Sequence, residues 1–134
     1  MGSTLLLSFV TLGILTTAGL GADNNRSPVV GKIEQKIEPG CGCGFRLSNK
    51  SRRLQGLIFS SVAGEPTAIM NIDGRDVRLR ENSRLKSYSG DSISVILNLR
   101  KAKEEYEVTN YIGTMEVSRS GKVTTYKIKG ACGC

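Results

Sequence analysis

Four cysteines stand in two identical triplets, Cys41-Gly42-Cys43 and Cys132-Gly133-Cys134, and no other residues in the chain are spaced so clearly for chemistry. Three chemistries use such pairs. In an oxidising compartment the four thiols form two disulfides. Kept reduced, Cys41, Cys43, Cys132 and Cys134 form a thiolate set for copper or zinc, although one intervening residue is tighter than the roughly two to four that structural zinc prefers. A bridge closed inside one triplet is a strained, reducible ring suited to thiol exchange. That strain favours bridges between the triplets. Antiparallel segments would pair Cys41 with Cys134 and Cys43 with Cys132; parallel segments would pair Cys41 with Cys132 and Cys43 with Cys134. By chain entropy, a first bridge closing about 90 residues stabilises the fold by about 4.6 kcal/mol, and a second nested beside it adds about 2 kcal/mol. Two disulfides are the expectation, with soft-metal binding as the alternative.

The chain has no histidine. This removes Ser–His and Cys–His nucleophile pairs, imidazole ligands and the usual general base. Within the hairpin expected at residues 68–80, Asp73 and Asp76 are the nearest carboxylate pair, but a turn explains the first and an outward strand position the second. No enzyme activity and no cofactor is expected. Residues 1–22 hold none of the charged side chains, and residues 5–22 are an apolar stretch ending in small residues. They read as a signal peptide cut before Ala22 or Asp23, despite an N-terminus without Lys or Arg. The expected location is secreted or periplasmic, with no stable membrane insertion after cleavage. Residues 23–40, with Pro28 and Pro39, read as a flexible tether. That leaves 41–134 as a disulfide-closed domain.

Between the cysteine triplets the pattern is that of strands. Ala68-Ile69-Met70-Asn71-Ile72 and Arg75-Asp76-Val77-Arg78-Leu79-Arg80 flank Asp73-Gly74, a dipeptide suited to a type I′ hairpin turn. In the second arm Val77 and Leu79 share one face, and Asp76, Arg78 and Arg80 the other. Residues 54–62 read as a buried strand and residues 81–91 as a loop. Residues 92–99 alternate through Ile93, Val95, Leu97 and Leu99, with Ile96 opposite. Residues 100–107 read as a charged turn, and 106–117 with 123–129 as a hairpin around Arg119-Ser120-Gly121-Lys122. No segment sustains a helical period. The predicted fold is all-β, a small antiparallel sandwich or barrel of about six to eight strands, its N- and C-terminal ends joined by disulfides.

The formal net charge of +7 points to an anionic ligand or a secreted protein as partner. Nucleic acid is disfavoured, because aromatics are few and no recognition helix is present. Basic residues cluster at Lys50, Arg52 and Arg53, at Arg75–Lys86, and at Arg100, Lys101 and Lys103. Arg78 and Arg80, side by side on one strand face, are the candidate ligand-binding residues together with Arg84 and Lys86, suited to gripping phosphate or carboxylate. The loops 81–91 and 100–105 are the further contacts expected. The stretch from Ala68 to Leu79, followed by Ser89-Gly90, resembles small periplasmic barrels that inhibit C-type lysozymes; the family's aromatic after Ser-Gly is missing here, and Tyr88 precedes the pair instead. The resemblance implies a barrel that inhibits a secreted hydrolase. The expected function is a secreted or periplasmic, non-catalytic binding or inhibitor-type module with a basic surface, the alternative being soft-metal binding by the two Cys-Gly-Cys pairs.

Overall fold

The computed structural model describes residues 26–48, 56–82 and 86–134. Its strands, in chain order, are β1 (Val30–Gly31), β2 (Gly42–Leu47), β3 (Phe59–Val62), β4 (Thr67–Ile72), β5 (Arg75–Asn82), β6 (Ser87–Gly90), β7 (Ile93–Glu105), β8 (Val108–Arg119) and β9 (Lys122–Gly133). From β2 onward each strand pairs antiparallel with the next, and β9 returns to β2, closing an eight-stranded up-and-down barrel. Closure pairs the backbone groups that an open sheet would leave at its edges. The short β1 lies beside the end of β4, just past the stretch of β4 that β3 covers.

Tight turns make this meander possible. Asp73 and Gly74 have φ of 54° and 80°, and Ser120 and Gly121 have 50° and 77°. Positive φ at both central residues matches the twist of the flanking strands, and glycine adopts it without a Cβ clash. Along each strand apolar residues then alternate inward. Phe45, Phe59, Met70, Leu79, Ile93, Val95, Met115, Val117 and Ile128 are buried, while Arg78, Arg80, Lys127 and Lys129 face solvent.

One end of the barrel is closed. The turns at Asp73-Gly74, Asp91-Ser92 and Ser120-Gly121 gather there, joined by Arg75–Asp91 at 2.9 Å and Arg119–Asp73 at 2.6 Å. The N-terminal segment completes the seal: residues 28–35, within the 23–40 stretch read as a tether, pack against the barrel. Pro28, Val30 and Ile33 are buried. Val29 and Asp73 exchange two hydrogen bonds, at 3.0 and 2.8 Å. The Tyr126 hydroxyl donates to the Pro28 carbonyl at 3.3 Å and accepts from the Val30 amide at 3.4 Å. The amides of Glu34 and Gln35 donate to the Asp76 carboxylate at 3.0 and 2.8 Å. Three buried apolar side chains and these six hydrogen bonds suffice to fix a segment that has the composition of a linker.

Three expectations change. Residues 81–91 are not a loop: β5 continues through Asn82 and Ser87–Gly90 form β6. Residues 100–105 are not a turn, because β7 runs on to Glu105 paired with β8, and the reversal falls at Tyr106 and Glu107. The strand expected over 54–62 is Phe59–Val62; residues 54 and 55 lie outside the described residues, as does the expected signal peptide.

Candidate functional site

The disulfides stand at the other end of the barrel. In a closed meander of eight antiparallel strands the first strand begins where the last one ends, so the two triplets meet. Cys43 and Cys132 are direct cross-strand partners on β2 and β9, with Cα atoms 4.0 Å apart, and they are bridged. Cys41 and Cys134 form the second bridge at the rim, with Cα atoms 5.1 Å apart. This is the antiparallel pairing of the two considered. With every cysteine oxidised, no thiolate remains in this form to bind copper or zinc.

The Cys43–Cys132 bridge faces inward and forms part of the wall of a cavity of about 740 Å³ in the barrel mouth. Inward residues of β2, β3, β5, β6, β7, β8 and β9 surround it, among them Phe45, Phe59, Tyr88, Leu97, Leu99 and Tyr111. The aromatic floor is continuous: Phe45 and Phe59 lie 5.8 Å apart between ring centres, and Tyr88 meets Phe59 edge-on at 5.0 Å. Below this floor the interior is filled. Above it Leu97, Leu99, Tyr88 and Tyr111 are only partly buried.

Two features keep the mouth hollow. First, Gly113, which lines the mouth, and Gly130 on the neighbouring strand carry no side chain. A Cβ at Gly113 would collide with the Asn98 carbonyl oxygen, and one at Gly130 with the Gly44 carbonyl oxygen and the Phe45 ring. Here the strands bend closely past one another, as barrel closure requires, and no side chain fills the space above. Second, strand lengths differ. β7, β8 and β9 have 13, 12 and 12 residues, whereas β3 and β6 have 4 each. β6 pairs with β7 only as far as Ile96, so the next residues of β7, Leu97 to Arg100, border an opening.

Polar groups stand at that opening. Glu81 and Lys86 line its lip, the latter with φ of 47°. Burial, together with the neighbouring Glu81 carboxylate, pushes the Tyr88 hydroxyl above its ordinary pKa, against a hydrogen bond with Ser61 that acts the other way. Tyr88 therefore remains a neutral donor within the mouth at physiological pH. An apolar chamber with a few convergent polar groups and a volume of several hundred Å³ is the usual form of a small-molecule site.

The residues expected to bind ligand do not form one patch. Arg78 and Arg80 do share the outer face of β5, flanked by Thr67, Ile69 and Ser89. Lys86 belongs instead to the mouth, and Arg84 lies outside the described residues, as do Lys50, Arg52 and Arg53. Ser89-Gly90 lies in β6 and leads directly into a two-residue turn at the closed end. Asp73 and Asp76 both accept hydrogen bonds that hold the N-terminal segment. Sequence patterning places Leu97 and Leu99 on the inward face but carries no signal that this level is hollow; the glycines at 113 and 130 are the nearest to one. Compared with protein-family models, curated proteins and solved structures, the chain matches none.

Proposed function

We propose that this protein is an exported, non-catalytic binding module that takes a small, largely apolar molecule into the mouth of its barrel. The observation that carries this reading is the cavity above the Phe45–Phe59 floor, walled by the Cys43–Cys132 bridge, Leu97, Leu99 and Tyr111. An eight-stranded barrel is at the size where the interior is either filled by its own side chains or holds one small ligand. Here the lower half is filled and the upper half is not. The bridges fit the role, since they brace the wall of the mouth and suit a secreted or periplasmic setting. Glu81, Lys86 and the Tyr88 hydroxyl supply polar contacts for one end of the ligand.

A neutral fluorescent probe, N-phenyl-1-naphthylamine, tests the reading, and the chain has no tryptophan to interfere. One-to-one binding with enhanced emission is expected. Leu99→Trp, which places an indole across the mouth at a partly buried position, should weaken the probe's affinity by about tenfold, a loss of about 1.4 kcal/mol, with the thermal midpoint kept. Absence of binding, or binding unchanged in Leu99→Trp, would overturn the proposal.

A further inference from the structure

The barrel register assembles a cationic row that is scattered in the sequence. Arg100 on β7 is the cross-strand partner of Ile112 on β8, Ile112 of Lys129 on β9, and Lys129 of Arg46 on β2. These positions face outward, and Arg46, Arg100 and Lys129 are exposed. With strands about 4.8 Å apart, Arg46 and Lys129 stand side by side and Arg100 about 10 Å from Lys129. Lys127 lies one step down the same face of β9. No carboxylate forms an ion pair with Arg46, Arg100, Lys127 or Lys129 among the described residues. The nearest by register, Glu116, sits opposite Thr125. Like charges directly opposite across a ladder are destabilising, so the Arg46–Lys129 pair works against the unliganded fold.

A groove of about 920 Å³ leads to this row along the outside of β2 and β9. It is lined by Gly42, Gly44, Ala131 and Gly133, with the Leu57 side chain packed against Gly44, and bordered by residues 37–39 and by Val108 and Asn110. Glu38, the carboxylate on its border, is paired with Lys36 at 3.5 Å. We infer that this groove and row bind a linear anionic polysaccharide, lying in the groove with its carboxylates or sulfates on Arg46 and Lys129. Charge complementarity fixes the sign of the ligand. Tyr111 is the one aromatic residue in the groove's lining, and it belongs to the inward face of β8; no outward position of β2, β8 or β9 carries a ring on which a nucleic acid base would stack. A groove bordered on one side by residues 37–39 suits a chain rather than the flat face of a bilayer. Arg46 and Lys129 line this groove and not the barrel mouth, whereas Arg100 at the end of the row borders the mouth; the groove lies across the barrel from Arg78 and Arg80.

The test uses chondroitin sulfate as the probe and compares Arg46→Gln/Lys129→Gln with Arg78→Gln/Arg80→Gln, which removes the same charge elsewhere. In 0.1 M salt the first double variant should bind about tenfold more weakly than the wild type, with a shallower salt dependence, and the second within about twofold. The first variant should also raise the thermal midpoint of the free protein and lose the further rise that chondroitin sulfate gives the wild type. Equal weakening by both variants would mean net charge alone and overturn the site. So would a single-stranded oligonucleotide or phosphatidylglycerol vesicles binding more tightly than chondroitin sulfate. Both double variants should still bind N-phenyl-1-naphthylamine, so failure here is distinguishable from failure of the mouth site.

Discussion

Asp73 occupies a turn position with φ of 54°, and the same side chain latches the N-terminal segment to the closed end of the barrel. The hydrogen bond from the Val29 amide holds its carboxyl below the ordinary carboxylate range; partial burial opposes this and the Arg119 guanidinium reinforces it. At Asp76 burial pushes upward, but the donors from Asn71, Gln35 and Glu34 together outweigh it and the net direction is also down. A carboxyl whose folded pKa is depressed contributes stability that is fully present above its unfolded value and lost as pH falls through the folded one. Hydrogen-exchange protection of the Val29, Glu34 and Gln35 amides should therefore hold from neutral pH to about pH 5 and decline below about pH 4. Asp76→Asn should flatten that decline at Glu34 and Gln35 and leave it at Val29. Protection independent of acid would show that burial of Val30 and Ile33 alone fixes the segment. The turn role of Asp73 was legible in the sequence, because Asp-Gly names a local geometry. Its latch role was not, since its partners Val29 and Arg119 are 44 and 46 residues away.

Hairpins with strong turn dipeptides and clean alternation, β4–β5 and β8–β9, can be read directly. β6 cannot: of Ser87, Tyr88, Ser89 and Gly90 only Tyr88 brings an apolar side chain inward, so four residues of strand look like loop. The outer part of β7 is hidden for the opposite reason. It pairs with β8 beyond the filled interior, where no buried face imposes a period on Arg100 to Glu105. The β6–β7 turn holds Asp91 and Ser92 at φ of 52° and 61° with no glycine in either place. Ser92→Gly should raise stability by about 1 kcal/mol in chemical unfolding, by relieving the left-handed conformation. Gly113→Ala tests the tight bend at the base of the mouth. Its Cβ would meet backbone, not a movable side chain, and a loss of about 2–3 kcal/mol is expected; a neutral result would mean the strands can separate there at little cost.

At the scale of the molecule, the cysteine triplets announced that head and tail meet, and a closed meander is what brings them together. The two bridges close nearly the same loop, with sequence separations of 93 and 89. Removing either one leaves the other to restrain the unfolded chain. Cys41→Ala/Cys134→Ala and Cys43→Ala/Cys132→Ala should each cost about 2 kcal/mol, and all four substitutions together about 6.5 kcal/mol. Additive losses in chemical unfolding would refute the nested-loop account. The second pair should also weaken probe binding, because its sulfurs wall the mouth. What the sequence could not disclose is where the barrel is full and where it is hollow, since that depends on unequal strand lengths and on a glycine, Gly113, that register brings to the mouth. The central claim is that the hollow binds a ligand, and an NMR titration of the native protein with N-phenyl-1-naphthylamine tests it most directly. Intermolecular nuclear Overhauser effects should connect the bound probe to the methyl groups of Leu97 and Leu99. Contacts with the outward methyls of Ile96 or Val123 in their place, at saturating probe, would contradict it.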